Sequence, residues 1–177
     1  TTSGRHNSGV PRHSLPLMAD KTPMREVFNE QEWPLLAFSF KSNLMNSYAI
    51  GNERLRMIKP YNPVQMHHQD AERFGIQHGD TIRIESPGGS VVGLALVSES
   101  VMPGSLGIEH GYGHRDLGAT PHEIDGQSQP DMPWMRAGIN INDLGFKDPT
   151  RNVDGTWLEP ISGASVRQGL PVKVSRA

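Results

Sequence analysis

Apolar and polar residues alternate most clearly in Thr81-Ile82-Arg83-Ile84-Glu85-Ser86, the period of two expected of a half-buried strand. Ser86-Pro87-Gly88-Gly89-Ser90 supplies turn chemistry, and Val91-Val92-Gly93-Leu94-Ala95-Leu96-Val97 returns as the second strand of a predicted hairpin. Upstream, Leu35-Leu36-Ala37-Phe38-Ser39-Phe40 is a short apolar strand that delivers a polar loop over residues 41–48. His68-Gln69-Asp70-Ala71-Glu72-Arg73-Phe74 predicts a helix of about two turns, stopped by Gly75 as a left-handed cap. Met102-Pro103-Gly104 marks a turn before Leu106-Gly107-Ile108-Glu109, and a last strand is predicted over residues 170–174.

Between these strands, residues 115–136 read as loop, because Pro121, Gly126, Pro130 and Pro133 prevent a long helix. Residues 137–144 return to alternation with amides at the polar positions. Residues 1–34 are rich in Gly, Pro, His and Ser, with a weak helical pattern only over 22–33, and read as an extended arm or linker ahead of a domain at 35–177. The sequence contains no recognisable internal repeat.

Composition narrows the class. A chain of 177 residues is sized for one core, and Gly 19 with Pro 14 favours compact β structure with many turns. A net charge of -2 lacks the footprint of a protein that grips nucleic acid through many phosphates. The absence of cysteine excludes disulfides, iron–sulfur ligation and thiolate zinc sites supplied by this chain. No apolar run reaches the roughly 18 residues of a bilayer span, so no direct membrane contact is expected. The chain opens on Thr1, which is read as the start of a fragment.

The candidate chemistry is polar rather than catalytic. No nucleophile beside a base, Gly-x-Ser-x-Gly or paired-carboxylate pattern is present, and Gly79-Asp80-Thr81 has the wrong order for an aspartic protease. Gly79-Asp80 reads instead as a turn fixed by its Asp. His110 and His114 stand four apart, but Gly111 and Gly113 argue against the helix that would align them on a metal; the His67-His68 pair has no partner carboxylate at a recognised offset either. The same Gly-x-Gly can be backbone laid open to a pyrophosphate or a tight turn between strands. Lys41, Ser42, Asn43, Asn46 and Ser47 crowd short polar groups after an apolar strand, which suits either a ligand loop or a surface turn. Asn140 and Asn142 likewise suggest a turn or amides aimed at a ligand.

Taken in order, Asn62-Pro63-Val64, Asp70-Ala71, Gly75-Ile76, Gly79-Asp80, Pro87-Gly88-Gly89, Val101-Met102-Pro103-Gly104, Asn142-Asp143-Leu144 and Ser162-Gly163 resemble the dinucleotide-binding domain that ends catalytic subunits of the dimethyl-sulfoxide-reductase superfamily. The similarity runs from about residue 35 to the end. Within that superfamily, residues 108–114, 138–144 and 163–172 most resemble the tetrathionate reductase branch, with arsenate respiratory reductases next.

The resemblance implies a mainly β fold, a six-stranded double-psi β-barrel with short helices and long loops. It implies binding of molybdopterin guanine dinucleotide, two copies of which hold one molybdenum in a parent enzyme of anaerobic respiration. The implied cofactor-binding residues are Lys41, Ser42, Asn43, Asn46, Ser47, His110, Gly111, His114, Asn140, Asn142, Arg167 and Gln168. The loop after the first strand and residues 110–114 are expected to face the nucleotide parts, and Asn140, Asn142 and Arg167 the pterin ends. Asn46 departs from the pattern, standing where many members carry histidine or another donor. The metal ligand and cluster cysteines of such enzymes belong to other domains, so the isolated chain is expected to be inactive and to hold the cofactor weakly or not at all. Implied partners are the parent's other domains, a membrane anchor and an iron–sulfur electron-transfer subunit, in a periplasmic or extracytoplasmic location. The competing function is a free-standing double-psi barrel that binds protein partners; its expected mark is an apolar or strongly charged exposed patch in place of clustered amides and histidines. A third is a small barrel enzyme resembling aspartate decarboxylase, whose self-processing Gly-Ser step has no convincing counterpart in the sequence.

Overall fold

The computed structural model describes residues 9–10, 13, 15–116, 118–159 and 162–177. Six strands close into a barrel: β1 (Leu35–Phe40), β2 (Val64–His67), β3 (Thr81–Ser86), β4 (Gly89–Ser98), β5 (Ser105–Glu109) and β8 (Gln168–Arg176), in the spatial order β1-β5-β2-β4-β3-β8. The pairs β1/β5 and β2/β4 are parallel and the other four antiparallel, as in the double-psi barrel expected from the sequence. Closure leaves no barrel strand with an open edge.

Alternation drives the closure. Leu35 and Ala37 of β1, Ile82 and Ile84 of β3, and Leu170 and Val172 of β8 point inward and are almost wholly buried, forming one core with Val64, Met66, Leu106 and Ile108. Helix α3 (His68–Phe74) begins where His67 Nδ1 accepts from Gln69 N at 3.2 Å and ends at Gly75 with φ 66°. The His67-His68 pair thus serves a helix start. The Gly79-Asp80 turn is held as its sequence suggests, Asp80 Oδ2 accepting from Gln77 N at 2.8 Å.

Short motifs that look unrelated along the chain meet in space. Asp70 Oδ2 accepts from Gly104 N at 2.7 Å. A Cβ on Gly88 would lie 1.9 Å from the Gly145 carbonyl oxygen, so the β3–β4 turn needs a glycine for the 143–146 backbone to approach.

Several elements differ from the sequence reading. Helix α2 (Glu53–Ile58) starts at Asn52, whose side chain accepts from Leu55 N. Strands β6 (His122–Ile124) and β7 (Gln127–Gln129) form an exposed hairpin within the stretch expected to be loop, turned by Asp125 and Gly126, both at positive φ. Where the pattern alternates at 137–144, Ile141–Leu144 is a turn of 3-10 helix. Met18 and Met24 of the leading segment belong to the main core, and Trp157 Nε1 donates to the Leu17 carbonyl at 3.0 Å. Among the described residues no helix is long and apolar enough to cross a membrane.

Candidate functional site

β1 and β5 run parallel, so the residues that follow both strands leave the barrel at the same end. The loop after β1 and the His110–His114 segment after β5 are therefore neighbours. Beneath them sits a small second core of Met45, Ala49 and Tyr112, with Leu55 of α2 against it.

Buried polar groups fix this layer. Glu109, 1% exposed, accepts from Ser42 Oγ and pairs with Lys59 Nζ. Asn62 is buried; its Nδ2 donates to the carbonyls of Glu109 at 2.7 Å and Ile139 at 2.9 Å, and its Oδ1 accepts from Ile139 N at 2.8 Å. It thereby ties the end of β5 to residues 138–140. Arg56, also buried, donates to the Gly111 carbonyl at 2.7 Å and lies 4.0 Å over the Tyr112 ring. Burial lowers the Arg56 guanidinium from its ordinary value, and Tyr112 and Glu109 oppose that shift. Tyr112 donates to the Lys59 carbonyl at 3.1 Å, and burial, aided by Glu109, pushes its phenol up to about 12. The Nε and Nη1 atoms of Arg56 and Nε2 of His114 are buried with no hydrogen-bond partner among the described residues.

The candidate residues divide into three clefts. The first, about 250 Å³, gathers Lys41, Ser47, His110, Arg167 and Gln168 with Ser39 and Phe40. The second, about 360 Å³, includes Gly113, His114, Asn140 and Asp143. The third, about 690 Å³, runs from Pro87 and Asn142 past Lys147 to Arg167. Arg167 belongs to the first and third, and the 110–114 segment joins the first to the second. Ser42, Asn43, Asn46 and Gly111 line none of the three.

Several polar side chains are committed locally. Ser42 Oγ accepts from Leu44 N and Met45 N, both at 3.2 Å, and Asn46 Oδ1 from Tyr48 N at 2.9 Å, which makes both turn-formers. Asn140 Oδ1 accepts from Asn142 N at 3.0 Å and starts the 3-10 turn. Gln168 Nε2 donates to the Ser39 carbonyl at 2.9 Å and reaches Ser39 Oγ at 3.2 Å. Gly111 is buried, and a Cβ on Gly113 would sit 2.6 Å from Asn140 N, so close packing accounts for the Gly-x-Gly spacing.

His110 and His114 are half-buried, and burial lowers both from the ordinary imidazole value. Lys41, Arg167 and His114 push His110 further down; Arg56 does the same to His114, against the Gly111 carbonyl and Asp116. The first cleft thus presents two cations and an imidazole whose protonation its surroundings disfavour, a set of polar groups that fits phosphate oxygens. Among the described residues no three His, Asp or Glu side chains gather as a metal site.

Sequence reasoning missed Arg56, Lys59, Asn62, Glu109 and Tyr112 as the scaffold under the site. Asn62 and Glu109 stand inside recognisable motifs, but their partners lie tens of residues away.

The family model described as "Molydopterin dinucleotide binding domain" matches residues 41–156. A tetrathionate reductase subunit of Salmonella typhimurium is 49% identical over 174 residues, 98% of this chain and 17% of that protein. The arsenate respiratory reductase molybdopterin-containing subunit of Chrysiogenes arsenatis is 29% identical over 64% of this chain and 12% of its own length. The chain thus spans under a fifth of each of these curated relatives. Among solved structures, acetylene hydratase from Pelobacter acetylenicus superposes on 95% of this chain and 21% of its own, with a TM-score of 0.64 at 17% identity, a likeness of fold.

Proposed function

The chain belongs to the molybdopterin dinucleotide-binding domain family, and from that premise we propose that it binds bis(molybdopterin guanine dinucleotide) within the catalytic subunit of a tetrathionate reductase. The observation that carries this reading is the convergence of Lys41, Ser47, His110, Arg167 and Gln168, from three separate stretches of sequence, on one cleft at the ends of parallel strands. Lys41 and Arg167 supply charge for phosphates, and Ser47 and His110 supply neutral hydrogen-bonding groups. Asn142, in the larger adjoining cleft, is assigned to the pterin ends, and Arg167, which lines both clefts, is available to either part of the ligand. What the cofactor would supply is two-electron redox chemistry at molybdenum; this chain's residues bind and orient it. The family match supports this reading and not a free-standing barrel that binds protein partners.

The proposal extends to the parent: a periplasmic enzyme of anaerobic respiration, working with a membrane anchor and an iron–sulfur subunit. An amide-resolved NMR titration of the chain with millimolar guanosine diphosphate tests the site, with adenosine diphosphate as comparison. Shifts at Lys41, Ser47, His110 and Arg167, larger for the guanine nucleotide, are expected. Shifts confined to residues 127–134 would overturn the assignment, and equal responses to both nucleotides would remove the guanine preference.

A further inference from the structure

We propose that Tyr48, Met57, Ile58 and Tyr61, on either side of α2, are the anchors by which this chain docks an apolar face of another domain of the same polypeptide. The inference rests on the reading of the chain as part of a larger catalytic subunit and adds to it a contact surface outside the clefts.

The orientation of α2 is fixed from within. Asn52 caps its start, and Leu55 packs against the small core of Met45, Ala49 and Tyr112. Arg56 donates to the Gly111 carbonyl at 2.7 Å, and Lys59, just past the helix, pairs with Glu109. These contacts claim one side of the segment, so Met57, Ile58 and Tyr61 stay outside. Met57 is 78% exposed and Tyr48 100%, and Ile58 and Tyr61 are exposed as well. Tyr48 shares an open depression with Asn52, Glu53 and Arg54 at the start of α2. All four side chains therefore flank one helix of six residues, about 9 Å long. Met57, Ile58 and Tyr61 line none of the clefts described above.

Taken at about 200 Å² for a whole large side chain, the four expose on the order of 600 Å². That matches the largest apolar patch of an ordinary monomer, and tyrosine and methionine are the side chains that interfaces favour. Over residues 46–61 the exposed charged side chains are Glu53 and Arg54, one of each sign. Such a surface suits an uncharged protein face and lacks the basic excess that an anionic bilayer would attract. Two copies paired through it alone would bury about 1,200 Å², the lower limit of stable association. Interfaces between domains of one chain begin at about 600 Å², because covalent linkage makes the contact intramolecular. The Salmonella relative is 49% identical over 98% of this chain but only 17% of its own length, so most of such a polypeptide lies outside the matched part. α2 lies at the end of the barrel where the residues after β1 and β5 form the clefts, and there, on the proposed reading, the rest of the subunit meets the same cofactor.

Met102 supplies an internal reference. It is 77% exposed and precedes β5, which puts it at the opposite end of the barrel. Hydroxyl-radical footprinting read by peptide mass spectrometry compares the 177-residue chain with the complete subunit. Both methionines should react alike in the chain. In the complete subunit, oxidation of Met57 should fall about fivefold or more while that of Met102 stays within about twofold. Met57 reacting as fast in the complete subunit as in the chain would overturn the inference. Protection of Met57 that grows with the concentration of the chain would do so too, making a second copy the occupant. Met57→Lys combined with Ile58→Lys should leave the chain's Tm and its guanosine-diphosphate-induced shifts unchanged, while the complete subunit is cleaved several-fold faster by limited proteolysis between its domains. Equal cleavage with and without the substitutions would count against the docking. Failure of the nucleotide titration would remove the cofactor assignment and leave the footprint comparison standing, whereas a native polypeptide no longer than 177 residues would remove both.

Discussion

Asn62→Ala should be among the most costly single substitutions outside the barrel core. Its side chain makes three hydrogen bonds of 2.7, 2.9 and 2.8 Å, all to backbone groups of residues 109 and 139, and it is 2% exposed. Each bond contributes about 1 kcal/mol net, and the buried Ile139 N–H left without an acceptor adds a desolvation cost of about 1–3 kcal/mol. The expected loss is about 4–6 kcal/mol, a large part of the roughly 5–15 kcal/mol that holds a domain folded. For a chain of this size that corresponds to a fall in Tm of about 10–20 °C. Urea unfolding followed by tryptophan fluorescence measures it, with the slope checked for constancy. Asn62→Asp separates the donor from the acceptor: it keeps the oxygen facing Ile139 N but turns a carboxylate toward two carbonyls. It should destabilise at least as much at neutral pH and recover partly as pH falls, when the protonated acid regains one donor. Gly138→Ala provides a coupling check. Its Cβ would lie 2.3 Å from Asn62 Oδ1, so part of its cost should disappear in the Asn62→Ala background. A loss under about 1 kcal/mol for Asn62→Ala would refute the clamp.

Asp80→Ala should cost about 1 kcal/mol through the lost Gln77 N–H bond while leaving nucleotide-induced shifts unchanged; thermal unfolding identical to the unsubstituted chain would reject its turn-fixing role. Tyr112→Phe should remove one component titrating near pH 12 from the absorbance of phenolate, because burial pushes that phenol up to about 12. Since the folded-state value is raised, the stabilisation it brings is complete below the ordinary tyrosine range and is lost as pH rises toward 12. Purified chain supplied with cofactor should not reduce tetrathionate from a viologen donor, since it has no cysteine to ligate a cluster; turnover would overturn the expectation.

Strands were legible because their patterns are local. Thr81–Ser86 alternates with period two, and the observed strand has the same bounds. The Gly75 stop, the Pro-Gly-Gly turn and the apolar run at Leu35–Phe40 were legible for the same reason. At 137–144 alternation misled, because Asn140 caps its own 3-10 turn and Ile141 and Leu144 reach the core at a spacing of three. The Asp125-Gly126 hairpin carried a readable signal that surrounding prolines obscured. Asn62, by contrast, looks like any asparagine before a proline. Its meaning lies in partners 47 and 77 residues away, which no window along the sequence contains.

Charge shows the same limit in a form that bears on function. A net charge of -2 argued for recognition by hydroxyls and amides without a charge field. Folding distributes that charge unevenly. Lys41 and Arg167, 126 positions apart, line one cleft with His110. Arg56 and Lys59 lie behind it, while Glu109 is the buried carboxylate of this layer and is paired with Lys59. Several acids lie in ion pairs elsewhere, such as Asp131 with Arg136 and Asp154 with Lys147. Such exposed pairs add little stability, yet they keep those carboxylates beside their own cations and out of the lining of the first cleft, where Lys41 and Arg167 stand. Their field is short-ranged, since screening at physiological salt cuts it within about 8 Å. On the proposed reading it would orient a bound phosphate without attracting long polyanions, so a local anion site is compatible with a chain whose overall charge argues against nucleic acid.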